Sequence, residues 1–472
     1  MDNITKSKTR EIIDDFVKEI IKAKRKGLPP DKTVIDFRNE RRHGIERDIY
    51  YVPIEFLRYR KDNGRISSDI LNYEKAKGLL DEKKKESQKI IRQFLEGKDK
   101  EKSEELKQSI KHEGQREPAI ITCDGFLING NRRKMVMEIL AEDPKYRGDP
   151  KLKDMKVVIL PGLGEEGGPP TLKEIEEIEN RYQLQSEAKA EYYAFDRALS
   201  MRRKIKFGMA LEEQLKDDPI YAGLVPKEFN KAVQKFKDSF LNPLECVDRY
   251  LSNLGRDGLY STISKGLGDP EGRWQAFLDY YNYVYKRLLD DKKRHRHGIS
   301  EEEVGKIEDI AFKIIRMRQV RGLPNITKVH DVMRKMYSWI GKKESKKELI
   351  KLIDTPLDLP KKETMDDKGR EYTERVVDSI WGQKHSAEIN RQLIKAVNNF
   401  EYKKEQETSI NLLKAALKKL EHNDMNPDNV KISKIPTAIK LAENIKVRAK
   451  EIVNEFYHYK KDHDKLKQKY KK

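Results

Sequence analysis

Between residues 119 and 141 the sequence leaves the chain little choice. An apolar run, Ala119–Thr122, meets Asp124-Gly125, a dipeptide suited to a two-residue hairpin because both positions tolerate positive φ. A second apolar run, Phe126–Ile128, returns, and Gly130 breaks it. Arg132–Ala141 then carries Met135, Val136, Ile139 and Leu140 at helical spacing. The spacing predicts strand, hairpin, strand, tight turn and helix in immediate succession. A chain with this order is not all-helical, so a small mixed α/β core is expected in its first third.

The rest of the chain reads as helix with a few short strands. Residues 5–26 place Ile12, Ile13, Phe16, Ile20 and Ile21 on one helical face, and Gly27-Leu28-Pro29-Pro30 stops them. Val34–Phe37, Tyr50–Phe56 and Lys156–Leu160 read as strands, with a charged loop at Arg38–Arg47. Residues 71–113 read as helical, and Lys83–Lys85 and Gly97–Lys102 are charged enough to be expected as exposed excursions. Gly162–Pro170 is rich in Gly and Pro and reads as a linker. Thr171-Leu172-Lys173-Glu174 then has the form of a capping box, and helix dominates to about residue 345. The apolar stripe Trp274, Phe277, Tyr280, Tyr281 and Tyr285 reads as core. Pro356, Pro360 and many charges mark 354–370 as a second linker. In the last hundred residues, stripes such as Ile410, Leu413, Leu417 and Leu420, spaced three or four apart, point to hairpin or coiled-coil packing.

The expected class is therefore α+β, a small mixed domain followed by predominantly helical ones. The expected divisions are an N-terminal helix and arm at 1–48, the mixed domain at 49–162, helical domains at 163–265 and 266–353, the linker at 354–370, and a helical oligomerisation region at 371–472. A length of 472 residues fits about three domains. The formal net charge of +19 favours polyanionic partners, nucleic acid before anionic membrane. Cys123 and Cys246 have neither metal-ligand spacing nor a disulfide framework. No run of eighteen apolar residues occurs, and charges break Met1–Lys26 too often for a signal peptide. A cytoplasmic, reducing location is expected, with nucleoid association if DNA is bound.

Asn129–Arg133 carries the chemistry. Gly130 permits a tight turn, Asn131 is a favoured N-cap type, and the helix that follows offers backbone N–H groups at the positive end of its dipole. Arg132 and Arg133 oppose that dipole at roughly 0.3–1 kcal/mol each. A bound anion between them removes the conflict, and guanidinium forks and helix N-termini both suit phosphate. Read without a ligand, the same two arginines are ordinary surface residues.

The order helix, Gly114-Gln115, Pro118, strand, Asp124-Gly125, strand, Gly130-Asn131-Arg132-Arg133, helix resembles the N-terminal domain of ParB partition proteins, shared with sulfiredoxins. The resemblance begins near Val52-Pro53, is most specific over Gly114–Leu140 and runs to Pro161, with 66–102 as an insertion. It implies a domain that binds CTP with Mg²⁺. Gly114, Gln115 and Pro118 would lie beside base and ribose, while Gly130, Asn131, Arg132 and Arg133 would cradle the phosphates and Arg65 would follow the opening strand. Glu179-Asn180-Arg181-Tyr182-Gln183 is similar to the family's Glu-Asn-x-Gln-Arg motif with one residue added. By that match Asn180 approaches the triphosphate and Glu179 its Mg²⁺. The chain departs from the family at Asn131, where an acid is usual, and an amide cannot act as a general base. The cysteine that a sulfiredoxin needs in this loop is also missing.

The resemblance further implies a helix-turn-helix after the nucleotide domain. Met209–Lys216 and Lys227–Asp238 stand in the right place, though joined by ten residues rather than three or four. Lys227, Lys231 and Lys235 are expected to reach phosphates, and Asn230 and Gln234 base edges. The reading is a DNA-binding regulator of bacterial or phage type, dimeric or larger and switched by a nucleotide. Two alternatives stand beside it: an enzyme on the same fold (NTPase, phosphotransferase or nuclease, in phage defence), and a non-catalytic assembly protein.

Overall fold

In a computed structural model of the chain the described residues are 12–25, 31–35, 37–38, 46–98, 100–165, 167–184, 194–263 and 273–469. The chain divides into two compact units, Met1–Asn398 and Asn399–Lys472. It is a predominantly helical α+β protein, as the sequence leads one to expect.

The first unit is built on a four-stranded sheet. Strands β1 (Lys32–Val34) and β2 (Glu46–Asp48) form a separate antiparallel ribbon, β2 starting within the last two residues of the stretch expected as a charged loop. Strands β3 (Tyr50–Pro53), β4 (Ala119–Ile121), β5 (Leu127–Asn129) and β6 (Asp154–Ile159) pair in the order β3-β6-β4-β5. Strand β6 runs antiparallel to β3 and parallel to β4, while β4 and β5 form the expected hairpin. Both central strands are covered on two sides, which explains their near-continuous apolar sequence. Ile121, Leu127, Val157 and Ile159 face helices α1 (Asp14–Arg25), α2 (Ser67–Lys77), α3 (Lys85–Glu96), α4 (Lys100–Glu113) and α5 (Asn131–Glu142). Ile120, Ile128 and Val158 face the other way, toward Ile35, Phe37 and helix α6 (Leu172–Leu184).

The stretch 66–102 is part of this core rather than an outgrowth. Ile66, Ile70, Leu80, Ile91 and Leu95 are buried in it. The segment expected as an excursion at Gly97–Lys102 turns inward at Lys98, whose Nζ lies 2.8 Å from Asp69 Oδ2 and 3.0 Å from the buried Asp196. A charge can leave water here because two carboxylates receive it.

The hairpin turn also differs from expectation. Gly125 N–H donates to Thr122 O at 2.9 Å, so Cys123 and Asp124 occupy the turn and Gly125 follows with φ +84°. A Cβ at Gly125 would sit 2.3 Å from Phe56 O, which excludes any other residue. Asp124 is fully buried and accepts from Thr122 Oγ1 at 2.6 Å and Ile13 N at 3.1 Å, as a structural turn residue does.

Helices α7 (Ala194–Lys206), α8 (Leu211–Lys216), α9 (Pro219–Ala222) and α10 (Pro226–Phe236) enclose a small core of Met201, Leu211, Leu215, Phe229, Val233 and Phe236. The ten-residue connection holds α9, started by Asp218, whose side chain accepts from Ile220 N–H at 2.9 Å ahead of Pro219. A π-helical turn at Lys237–Leu241 carries the chain straight into α11 (Asn242–Asn253), and a second at Tyr281–Tyr285 joins α12 (Trp274–Tyr280) to α13 (Lys286–Leu288). Trp274, Phe277, Tyr280 and Tyr281 are buried, so the aromatic stripe is core. Helices α14 (Asp291–Arg296), α15 (Glu302–Met317), α16 (Val329–Ile340), α17 (Lys343–Ile350) and α18 (Glu374–Leu420) follow. The segment 354–370 is tied down rather than free: Pro356 O accepts from Trp381 Nε1 at 2.9 Å and Leu357 O accepts from Arg316.

The second unit comprises the end of α18 and helix α19 (Ile435–Lys469). No described side chain from residue 401 to 464 is buried. Among the described residues no helix is long and apolar enough to cross a membrane.

Candidate functional site

The hairpin delivers the chain to Gly130, which has φ +101° and lies so close to β4 that a Cβ would meet Ala119 Cβ at 2.6 Å. Only glycine fits that conformation and that gap. Gly130 itself is the N-cap of α5, the place expected for Asn131, and its carbonyl accepts the helix's Lys134 N–H at 3.0 Å. Asn131 is instead the first helical residue, buried, with its amide 3.4 Å from Leu127 O. The first turn of α5, bearing Arg132 and Arg133, then opens onto a cleft.

That cleft has a volume of about 400 Å³. Its lining gathers Arg65, Gly114, Gln115, Gly130, Arg132 and Arg133, six residues singled out from three separate stretches of sequence. Lys102 and Arg116 bring the cations to five, against the carboxylates Glu105 and Glu117. Gly114, at φ +71°, ends α4 and starts the wall. Gln115 then pins this wall to β6. Its Oε1 accepts from Lys156 N at 2.7 Å, and its Nε2 donates to Lys156 O and Glu117 O, both at 2.8 Å. The Gln115 amide is thereby engaged by backbone, which leaves its role at the cleft one of shape. Pro118 is half-buried just before β4 and is not part of the lining.

Electrostatically the cleft is unbalanced. Arg133 donates to Glu117 O and its Nη2 lies 3.9 Å from the Glu117 carboxylate. Burial lowers the Arg133 pKa from its ordinary value; Glu117 opposes the change and the Arg65 guanidinium adds to it. Two like charges thus converge on one space, with Arg132 beside them. A multivalent anion is the natural counter-charge, and the α5 N-terminus contributes the positive end of its dipole.

Glu179 and Asn180 lie elsewhere. They face the junction between α6, α7 and the loop after β3, together with Glu176. Arg60 pairs with Glu179 and, at 3.2 Å, with Glu176, while Arg203 reaches Glu176 Oε2 at 3.0 Å and Glu179 Oε2 at 3.1 Å. Gly64 N–H donates to the other Glu179 oxygen at 3.2 Å. Burial alone would raise the Glu179 pKa, but Arg60, Arg203 and Lys204 carry it below the ordinary value. Glu176 is raised, chiefly by burial. Burial likewise depresses Lys204 to about 8, although Glu179 and Glu176 oppose that. Lys204 Nζ donates to Asn180 Oδ1 at 2.8 Å, and Asn180 Nδ2 donates to Gln214 O at 3.0 Å and Asp217 Oδ2 at 2.9 Å. Both Glu179 oxygens are therefore occupied by protein donors, a poor donor set for the Mg²⁺ ion that the resemblance implies. Among the described residues no group of three or more His, Cys, Asp or Glu side chains is placed to hold a metal.

On α10, Lys227, Asn230, Lys231, Gln234 and Lys235 are all exposed and turned away from the buried Phe229, Val233 and Phe236. Gln234 also donates to Asp238 at 2.9 Å, which occupies one of the two amides expected to read bases.

The chain matches no protein-family model, no curated protein and no solved structure.

Sequence reasoning missed Arg60, Glu176, Arg203 and Lys204 as one network, and Lys102, Arg116 and Glu117 as cleft residues. The period of α6 carried a signal for the first group, since two acids three apart share a face that Ile175 and Ile178 flank on the inner side.

Proposed function

We propose that the cleft at Gly130–Arg133 binds the phosphates of a nucleoside triphosphate, CTP being the first candidate, and that the exposed face of α10 contacts DNA. The protein is then a nucleotide-responsive, ParB-like DNA-binding protein. One observation carries this reading: Arg65, Arg132 and Arg133, distant or opposed to a helix dipole in sequence, meet around a single cavity of about 400 Å³. That volume suits a small-molecule ligand. Phosphate recognition here rests on cations and the α5 N-terminus, with no protein-held metal required. Because Asn131 supplies no general base, binding without rapid turnover is expected.

The test is a thermal-shift comparison of CTP, ATP, GTP and UTP on wild-type protein and Arg132→Ala. A ligand at a hundred times its dissociation constant stabilises the fold by about 2.7 kcal/mol. The expected result is a shift with at least one nucleotide that Arg132→Ala abolishes. No shift with any of the four removes the nucleotide reading. The α10 reading is tested separately by DNA binding against salt. Replacing Lys231 and Lys235 by alanine should make the log–log slope shallower by about 0.9 for each phosphate no longer neutralised.

A further inference from the structure

Helix α19 carries a heptad whose side chains are exposed in the chain as described, apart from the half-buried Ile452. Ala442, Ile445, Ala449, Ile452, Phe456 and Tyr459 follow one another at spacings of three and four, the a and d positions of a coiled coil. Ile445 and Phe456 are each 46% exposed and Tyr459 is 74% exposed. The sequence from 439 to 462 spans about 36 Å of helix at 1.5 Å per residue. A solvated helix draws its stability mainly from packing an amphipathic face, and an apolar stripe of this extent marks an association surface.

We infer that α19 pairs in antiparallel orientation with α19 of a second copy of this chain, about a two-fold axis between Ala449 and Ile452. An isologous contact of this kind closes at two chains. In this register Ala442 faces Tyr459, Ile445 faces Phe456 and Ala449 faces Ile452, so each alanine meets a larger side chain. A parallel pair would set Ala442 on Ala442 and Ala449 on Ala449 while crowding Phe456 on Phe456, alternating gaps with bulges in a core that tolerates neither. The flanking charges fit a self-contact. Arg448, which reaches Glu451 at 2.9 Å and Glu455 at 3.0 Å along its own helix, comes beside Glu455 of the second copy, and the symmetry repeats the pair. A parallel pair would match Glu455 with Lys460, so charge supports self-association in either direction and the packing of small against large sets the orientation.

The full-length protein should run at twice its chain mass in light scattering at micromolar concentration. Ile445→Asp with Ile452→Asp should reduce it to a monomer while the main unfolding transition stays in place, which shows that the first unit has folded. Orientation is read by disulfide trapping, the native Cys123 and Cys246 being buried. Mixed Ala442→Cys and Tyr459→Cys chains should cross-link to each other. Ala442→Cys alone should not, since its counterpart lies about 25 Å away along the helix. A monomeric wild-type protein overturns the inference, because α19 then finds its cover within its own chain. Ready self-linking of Ala442→Cys overturns the antiparallel register.

Discussion

Two groups of arginines, one in the cleft and one at the α6 junction, use the same side chain in opposite ways. At the junction Arg60 and Arg203 converge on Glu176 and Glu179, and Gly64 N–H completes the set. In the cleft Arg65, Arg132 and Arg133 line an open volume in which the cations outnumber the carboxylates. Buried charges must be matched to persist, and the junction matches nearly all of its own. The cleft lining holds five cations and two carboxylates, and in the proposed reading the ligand's phosphates join them. The first group holds α6 and α7 to the mixed core; the second is the one we propose to bind an anion.

The comparison breaks most visibly at Glu179. Glu179→Ala leaves Arg60 and Arg203 short of a carboxylate in a buried setting and should cost about 3–5 kcal/mol, read from urea midpoints. A loss below about 1 kcal/mol would mean that the junction is not a structural clasp. Gly130→Ala is next. With φ at +101° and Ala119 at 2.6 Å, the methyl group must push β4 or α5 aside. The expected cost is about 1–3 kcal/mol, accompanied by loss of nucleotide-induced stabilisation. Ligand response unchanged in this variant would separate the cleft from the turn that builds it.

The junction also predicts a pH dependence. Lys204 is held at about 8 in the fold against about 10.4 when unfolded. Below the folded value both states are protonated and the full cost of burying the charge is present. Between the two values the unfolded state binds more protons, so this group makes stability rise with pH and then level off. Lys204→Met should remove that rise, seen as the difference between wild-type and variant melting temperatures from neutral to alkaline pH. A difference that stays flat would place Lys204 in an ordinary solvated environment.

How much of this was legible follows from how far apart the partners lie in sequence. The β4–β5 hairpin, Gly130 and the Gly114 helix stop were legible because each is decided within four or five residues. Even there the details shifted: the turn sits on Cys123-Asp124, and Gly130 rather than Asn131 caps α5. Arg65 joined the cleft only through the family pattern, since nothing local distinguishes it from other arginines. The clasp of Arg60 on Glu176 and Glu179 joins segments far apart in the chain and has no local signature, so Glu179 read as a metal ligand instead. The segment 354–370 read as a linker because its prolines and charges are local. The Trp381 indole and the Arg316 guanidinium that hold it come from distant helices.

The central claim, that the cleft recognises phosphates, is tested most directly by calorimetric titration of CTP and of cytidine into the wild-type protein and Arg132→Ala. Charge-assisted hydrogen bonds are worth about 1.5–3 kcal/mol each, roughly a tenfold to hundredfold change in affinity. CTP should bind one site per chain, cytidine should bind far more weakly, and Arg132→Ala should lower CTP affinity at least tenfold without unfolding the protein. Equal binding of CTP and cytidine, or CTP binding indifferent to Arg132, would contradict that claim.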